Sequence, residues 1–81
     1  MTVRVRFFAG LVPIVGEKSI EMALPAGATV GTLRDQLVAR YPVLEAFMTT
    51  YVCAVAEEMR MPEYALTDGD LVDIIPPISG G

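Results

Sequence analysis

The sequence closes on Pro76-Pro77-Ile78-Ser79-Gly80-Gly81, and its last two glycines are the residues best suited to chemistry. Glycine has no Cβ, so neither residue shields the Gly81 carboxyl group or restricts the backbone beside it. A narrow active site on another protein can take such a tail in lengthwise, with Ile78, Ser79 and Gly80 in the channel and Gly81 at its end. Pro76 and Pro77 cannot donate backbone hydrogen bonds, so a sheet should stop there and release a stiff, extended segment. At extended spacing the residues after Pro76 reach about 15–18 Å. A frayed, inert terminus would have the same composition. The elements upstream have to decide between the two.

Those elements read as β-β-α-β-(β)-β. Residues 2–9 alternate Val3, Val5 and Phe7 with Arg4, Arg6 and Phe8, the two-residue period of a half-buried strand. Residues 11–15 form an apolar connection between Gly10 and Gly16, and Pro13 argues against a central strand there. A second strand covers residues 19–24, with Ile20, Met22 and Leu24 inward. After the Pro25-Ala26-Gly27 turn, Thr29 offers an N-cap to a helix over residues 30–40. Val30, Leu33, Leu37 and Tyr41 make one continuous stripe on that helix, and Pro42 ends it. Residues 43–50 suggest a short helical turn carrying Leu44, Phe47 and Met48. Residues 51–56 are almost wholly apolar, which predicts a central third strand. A loop over 57–65 has room for a short strand at 59–61. Thr67-Asp68-Gly69-Asp70 is a turn, and residues 71–75 form the last strand, with Val72 and Ile74 on one side and Leu71, Asp73 and Ile75 on the other. The economical architecture is α+β, with one main helix across one face of a mixed sheet of four to five strands. If strands one and two pair as a hairpin, the helix is the crossover that lets the last strand lie parallel beside the first. The domain then spans residues 1–75 and the extended tail residues 76–81.

Composition removes several functions. Six basic and ten acidic residues leave a net charge of −4, the wrong sign for nucleic acid or an anionic membrane. A single cysteine and no histidine exclude an intramolecular disulfide and a Cys/His metal cluster. At 81 residues and 53% hydrophobic, the chain has more apolar surface than so small an interior can hide, and some of it should await a partner. Lys18 is the only lysine. The run from Phe7 to Gly16 behind Arg4 and Arg6 imitates a secretory leader, but the strand alternation and the following Glu17-Lys18 favour a cytoplasmic protein. Cys53, in a strand this apolar, reads as a small core residue, and Met48, Met59 and Met61 as packing or interface filler.

The partner surface follows from the same strands. With strands one and five adjacent, Phe8, Ile75 and Leu71 share the face away from the helix, and Pro76 and Ile78 carry that apolar patch toward the tail. Arg4 and Arg6 on this face are placed to pair with Asp73.

These residues carry a family resemblance. The closing Leu66-Thr67-Asp68-Gly69-Asp70-Leu71-Val72-Asp73-Ile74-Ile75-Pro76-Pro77-Ile78-Ser79-Gly80-Gly81 resembles the end of the ubiquitin-like sulfur carriers. Among these it is most similar to the molybdopterin synthase small-subunit branch and more distantly to the thiamine sulfur carriers. The opening Val3-Arg4-Val5-Arg6-Phe7-Phe8-Ala9 and the helix start Ala28-Thr29-Val30-Gly31-Thr32-Leu33-Arg34 also fit, so the resemblance spans the chain. It departs from the family at Ala56-Glu57-Glu58, where an asparagine-containing turn is usual, and at Pro13-Ile14, where an arginine-glutamate pair is common.

The resemblance implies a β-grasp fold and a chain that carries sulfur without catalytic residues of its own. A carboxylate is a poor electrophile, so an adenylating enzyme similar to ubiquitin E1 would use ATP, with Mg, to activate Gly81. A persulfide protein would then supply the sulfur, leaving a thiocarboxylate. The loaded tail would enter the large molybdopterin synthase subunit, in a heterotetramer, and donate sulfur to a pterin precursor of the molybdenum cofactor. No cofactor would be bound by the chain itself. A carrier for tRNA thiolation, thiamine or cysteine synthesis, a protein modifier that joins lysines through its diglycine, and an interaction module with an inert tail remain open on the residues alone.

Overall fold

Alternation in the first strand sets the architecture. In the computed structural model, which describes residues 1–76, β1 (Thr2–Phe7) buries Val3, Val5 and Phe7 and exposes Thr2, Arg4 and Arg6 to its other side. Strand β1 pairs antiparallel with a later strand that carries the same period, Ser19–Ala23, with Val5 opposite Ile20 and Val3 opposite Met22. Between the two lies a difference from the sequence expectation: residues 11–15 are not a bare connection but a short helix, α1 (Leu11–Val15). Gly16 closes it with a left-handed φ of 88°, and its N–H donates to the Val12 carbonyl at 2.8 Å. Pro13 is tolerated because the first turn of a helix has no intrahelical acceptor for its N–H groups. Leu11 anchors the turn by full burial. The strand Ser19–Ala23 is β2.

The main helix, α2 (Val30–Arg40), starts at Thr29 as expected. The Thr29 hydroxyl accepts from the Thr32 N–H at 3.2 Å, and the Thr32 hydroxyl accepts from the Thr29 N–H at 3.1 Å. Val30, Leu33 and Leu37 are fully buried against the sheet, and Tyr41 packs beside them. After Pro42 a 3-10 turn (Pro42–Leu44) runs into α3 (Glu45–Met48), the short helical element expected at residues 43–50. Leu44 and Met48 are buried there, and the Phe47 ring meets Tyr51 edge-on at 6.1 Å.

Three strands complete the sheet: β3 (Val52–Val55), β4 (Glu58–Met59) and β5 (Leu71–Ile75). The order is β2-β1-β5-β3-β4, with β5 parallel to β1 and antiparallel to β3. The middle position belongs to β5, and β3, expected to be central from its composition, is an interior strand between β5 and β4. Its apolar run serves both faces. Cys53 and Val55 face the core, and Ala54, on the opposite face, is small enough to be covered by its neighbours Asp73 and Met59. The short strand expected at 59–61 forms one residue earlier.

The register of β5 against β1 is fixed by the turn before it. Asp68 accepts the Thr2 N–H at 2.8 Å, and the Gly69 N–H donates to the Thr2 carbonyl at 2.8 Å. Asp70 accepts from both the N–H and the hydroxyl of Thr67, and Gly69 takes the left-handed φ of 86° that the turn needs. Strand β5 therefore starts level with Arg4 and runs one residue past the end of β1. A five-stranded mixed sheet wrapped on one long helix, with its first and last strands parallel at the middle, is the ubiquitin-like β-grasp fold.

Candidate docking face and tail exit

The face of the sheet turned away from α2 carries the outward residues of each strand. Arg6 sits directly beside Asp73, and the ion pair is two-pronged: Nε to Oδ1 at 2.7 Å and Nη2 to Oδ2 at 2.9 Å. The hydrogen bond to Asp73 pushes the Arg6 pKa above its already high ordinary value, so the guanidinium remains charged. Arg4 does not join this pair. Its directly opposed neighbour on β2 is Glu21, which it meets at 2.6 Å, with Ser19 at 3.3 Å. The expectation that both arginines reach Asp73 holds for Arg6 alone.

Phe8 is the first residue past β1. The chain leaves the strand there because Ala9 adopts a left-handed φ of 53°, unusual for a residue with a Cβ, and α1 follows. That break holds Phe7 inside and Phe8 outside, 39% exposed, with the Arg6 guanidinium 5.6 Å from its ring centre. Continuing the Phe7–Ile74 register sets Phe8 level with Ile75, and Ile75 pairs with Val52 on its other side. Phe8, Ile75 and Val52 thus make an apolar row across three strands, at the end of the sheet where half-buried Pro76 departs.

Leu71 is on the same face and 38% exposed, but it does not belong to this row. It lies four residues back along β5 from Ile75, about 13 Å at strand spacing, and the Arg6–Asp73 pair sits between them. Of the sequence-derived interface residues, Phe8, Ile75 and Pro76 gather and Leu71 stands apart. Ile78, Ser79, Gly80 and Gly81 lie outside the described residues.

Sequence reasoning passed over Val52, and left Met59 and Met61 as packing or interface filler without placing them on a face. Met59 opposes Ala54, and the Arg60 N–H donates to the Cys53 carbonyl at 2.9 Å, so the ladder continues toward Met61. The alternation Met59-Arg60-Met61 was the available signal, hidden by the shortness of the run.

Cys53 points into the core. Burial pushes its thiol pKa up, opposed only in part by the charge of Arg34, so it stays protonated and unreactive, as a packing residue should. On the helix side, an open groove of about 530 Å³ runs between α2 and α3, lined by residues that include Arg34, Val38 and Met48. Arg34 donates to the Met48 carbonyl there. Among the described residues no group of three His, Cys, Asp or Glu could hold a metal ion, and no helix is long and apolar enough to cross a membrane. The charged groups beside the tail exit, Arg6 and Asp73, are committed to each other.

The chain is similar to known proteins along its length. The ThiS family matches residues 5–81. The molybdopterin synthase sulfur carrier subunit of Chlamydomonas reinhardtii is 39% identical, with 100% of both chains covered. Small archaeal modifier protein 3 of Haloferax volcanii is 32% identical, again with 100% of both covered. A putative molybdopterin converting factor, subunit 1, from Pyrococcus furiosus superimposes with a TM-score of 0.89 at 26% identity, over 96% of this chain and 99% of that one.

Proposed function

Because the chain belongs to the ThiS family, we propose that it is the sulfur-carrier subunit of a molybdopterin synthase, its tail the donor group and its folded body the handle. The Gly81 carboxylate attacks the α-phosphate of ATP on an E1-like adenylyltransferase, with Mg present, and pyrophosphate leaves. A persulfide sulfur then attacks the acyl carbon and AMP departs. Thiol cleavage of the resulting sulfur–sulfur bond leaves a thiocarboxylate at Gly81. Once docked on the large synthase subunit, the tail, through Ile78, Ser79 and Gly80, brings that sulfur to the pterin precursor. The observation that carries this reading is the course of β5. Held between β1 and β3 at the centre of the sheet, it delivers Pro76 beside the apolar row of Phe8, Ile75 and Val52. A partner that grips this row takes the tail in the same act. The relatives named as sulfur carrier subunits support the assignment, and a cytoplasmic heterotetramer with the large subunit fits it.

The test is the intact mass of the chain after incubation with the adenylyltransferase, ATP and a persulfide donor. The expected gain is that of one oxygen replaced by sulfur, absent when Gly81 is deleted. An unchanged mass, or a gain that survives the deletion, overturns the proposal. A protein-modifier role is the second reading, favoured by the similarity to the archaeal modifier. It predicts adducts on target lysines, where a dedicated carrier gives none. Carriers for tRNA thiolation, thiamine or cysteine synthesis share the first step and separate by which partner accepts the sulfur.

A further inference from the structure

We infer that the groove between α2 and α3 is a docking site for the persulfide protein that loads the tail, and that it takes an apolar side chain flanked by lysine or arginine. The inference rests on the carrier reading above and names the partner of its loading step.

Loading brings two proteins to one chain end. An adenylyltransferase that draws the tail in lengthwise grips the apolar row beside it and covers the open face of the sheet. Sulfur has to arrive while Gly81 is still the acyl adenylate, so its donor is denied that face. The helix side is left, and the groove of about 530 Å³ lies there. The groove is also close to the tail. Val52 pairs with Ile75, so the chain leaving α3 joins the sheet beside the tail exit. Thr49 lines the groove and is three residues from Val52, hence no more than about 11 Å from it. One strand spacing, about 5 Å, then separates Val52 from Ile75. The groove thus opens within about one tail length of the point where β5 ends.

Both walls are tied down. At the start of α2 the Gly31 N–H donates to the Pro62 carbonyl at 2.9 Å and the Val30 N–H to the Tyr64 carbonyl at 3.0 Å. A Cβ at position 31 would come within 3.3 Å of that Pro62 oxygen, so glycine lets the 62–64 segment close against the helix. Across the groove, Arg34 donates to the Met48 carbonyl and the Tyr51 N–H to the Phe47 carbonyl at 2.9 Å, which hold α3 in place. Between these ties the lining is apolar, with Met48 buried and Val38 and Pro62 half-buried. A fixed apolar trough needs little rearrangement to receive a partner's side chain.

Charge states the chemistry of that partner. Asp35 from α2 and Glu45 from α3 line the groove and are exposed. The ion pairs among the described residues are Arg4–Glu21, Arg6–Asp73 and Arg60–Glu58, so neither carboxylate is in one. The one cation of the lining, Arg34, is committed to the Met48 carbonyl. Two free carboxylates beside an apolar trough are complemented by an apolar side chain between lysines or arginines.

The experiment is single-turnover loading of the full chain with the adenylyltransferase and ATP, followed by intact mass. In one arm sulfur comes from the persulfide protein of the same organism, with a thiol present to cleave the sulfur–sulfur bond. In the other it comes from inorganic sulfide. There hydrosulfide attacks the acyl carbon of the adenylate, AMP leaves with the bonding pair and the sulfur's proton goes to solvent, so the thiocarboxylate forms with no docked donor. The double variant D35K/E45K should load about tenfold more slowly from the persulfide protein and at the unaltered rate from sulfide. Glu17→Lys, a reversal at an exposed site outside the groove, should load at the unaltered rate in both arms. A D35K/E45K rate within about twofold of the unaltered chain in the persulfide arm overturns the inference. Equal slowing in both arms overturns it too, by placing the defect in folding or adenylation, and so does equal slowing by Glu17→Lys, by assigning the effect to net charge. If the unaltered chain loads from sulfide but not from the persulfide protein, the carrier reading stands and only the groove falls. If it gains sulfur from neither source, both fall together. Self-association of the chain that D35K/E45K abolishes would make a second copy the occupant and also overturn the inference.

Discussion

On the covered face of the sheet, Val3, Val5, Phe7, Ile20, Met22, Val72 and Ile74 meet Leu11, Leu33, Leu37 and Leu44 with almost no accessible surface. On the open face the same strands present Arg4 paired to Glu21, Arg6 paired to Asp73, and a row of partly exposed apolar residues between them and the tail exit. Successive residues of one strand thus serve opposite purposes. Inward residues are chosen for burial, and outward ones leave apolar surface that folding does not consume. On the carrier reading, the covered face holds the stability and the open face keeps apolar surface for a partner.

The largest effect should come from emptying the covered face. Leu37 is fully buried beneath α2, and Leu37→Ala removes its transfer energy and leaves a cavity, about 2–5 kcal/mol. A domain of this size holds roughly 4–12 kcal/mol in all, so urea unfolding should show a much lower midpoint at an unchanged slope. A loss below about 1 kcal/mol would mean that the covered face is not the source of stability, and the contrast would fail.

Phe8→Asp probes the other side. Phe8 is outside the strand ladder and over a third exposed, and an aspartate there faces Arg6 favourably. Stability should fall by no more than about 1 kcal/mol, while binding to the large synthase subunit weakens at least tenfold, as for a centrally placed aromatic. A collapse of the melting temperature instead would assign Phe8 to the core.

The contrast also explains which parts of the molecule could be read from the sequence. Period-two alternation exposed β1, β2 and β5, and Thr29 with the Val30-Leu33-Leu37 stripe located α2, because these signals are local and repeat. The Thr67-Asp68-Gly69-Asp70 turn was legible for the same reason. Helix α1 was missed because Pro13 argues against a strand without revealing the one-turn helix that Leu11 and Gly16 complete. The apolar run of β3 marked it as an interior strand, but composition alone did not show that β5 takes the middle place or that Ala54 is covered by neighbouring side chains. At the candidate site, Phe8, Ile75 and Pro76 came from adjacency to the last strand. Leu71 was added by face alone, without the distance along β5. Met59 and Met61 needed the β3–β4 register, which the two left-handed residues Ala56 and Glu57 create and no turn motif announces.

The smallest effect separates the faces by their response to pH. Among the described residues no polar or charged side chain is buried, and the core's only thiol, Cys53, has its pKa raised by burial, with Arg34 opposing. The unfolded chain therefore releases this proton first as pH rises. Stability should be flat with respect to Cys53 below about pH 8.5, then decline through the window between the unfolded and folded values, at no more than about 1.4 kcal/mol per pH unit. Urea midpoints of the native chain and Cys53→Ala, measured from about pH 7 to about pH 10, should differ in slope at the alkaline end, with the variant flatter. The variant's lower baseline, from the lost sulfur, does not enter this comparison of slopes. Equal declines in both proteins would place the alkaline sensitivity outside the core. A flatter variant would show that the covered face, through Cys53, is where alkaline pH acts on stability.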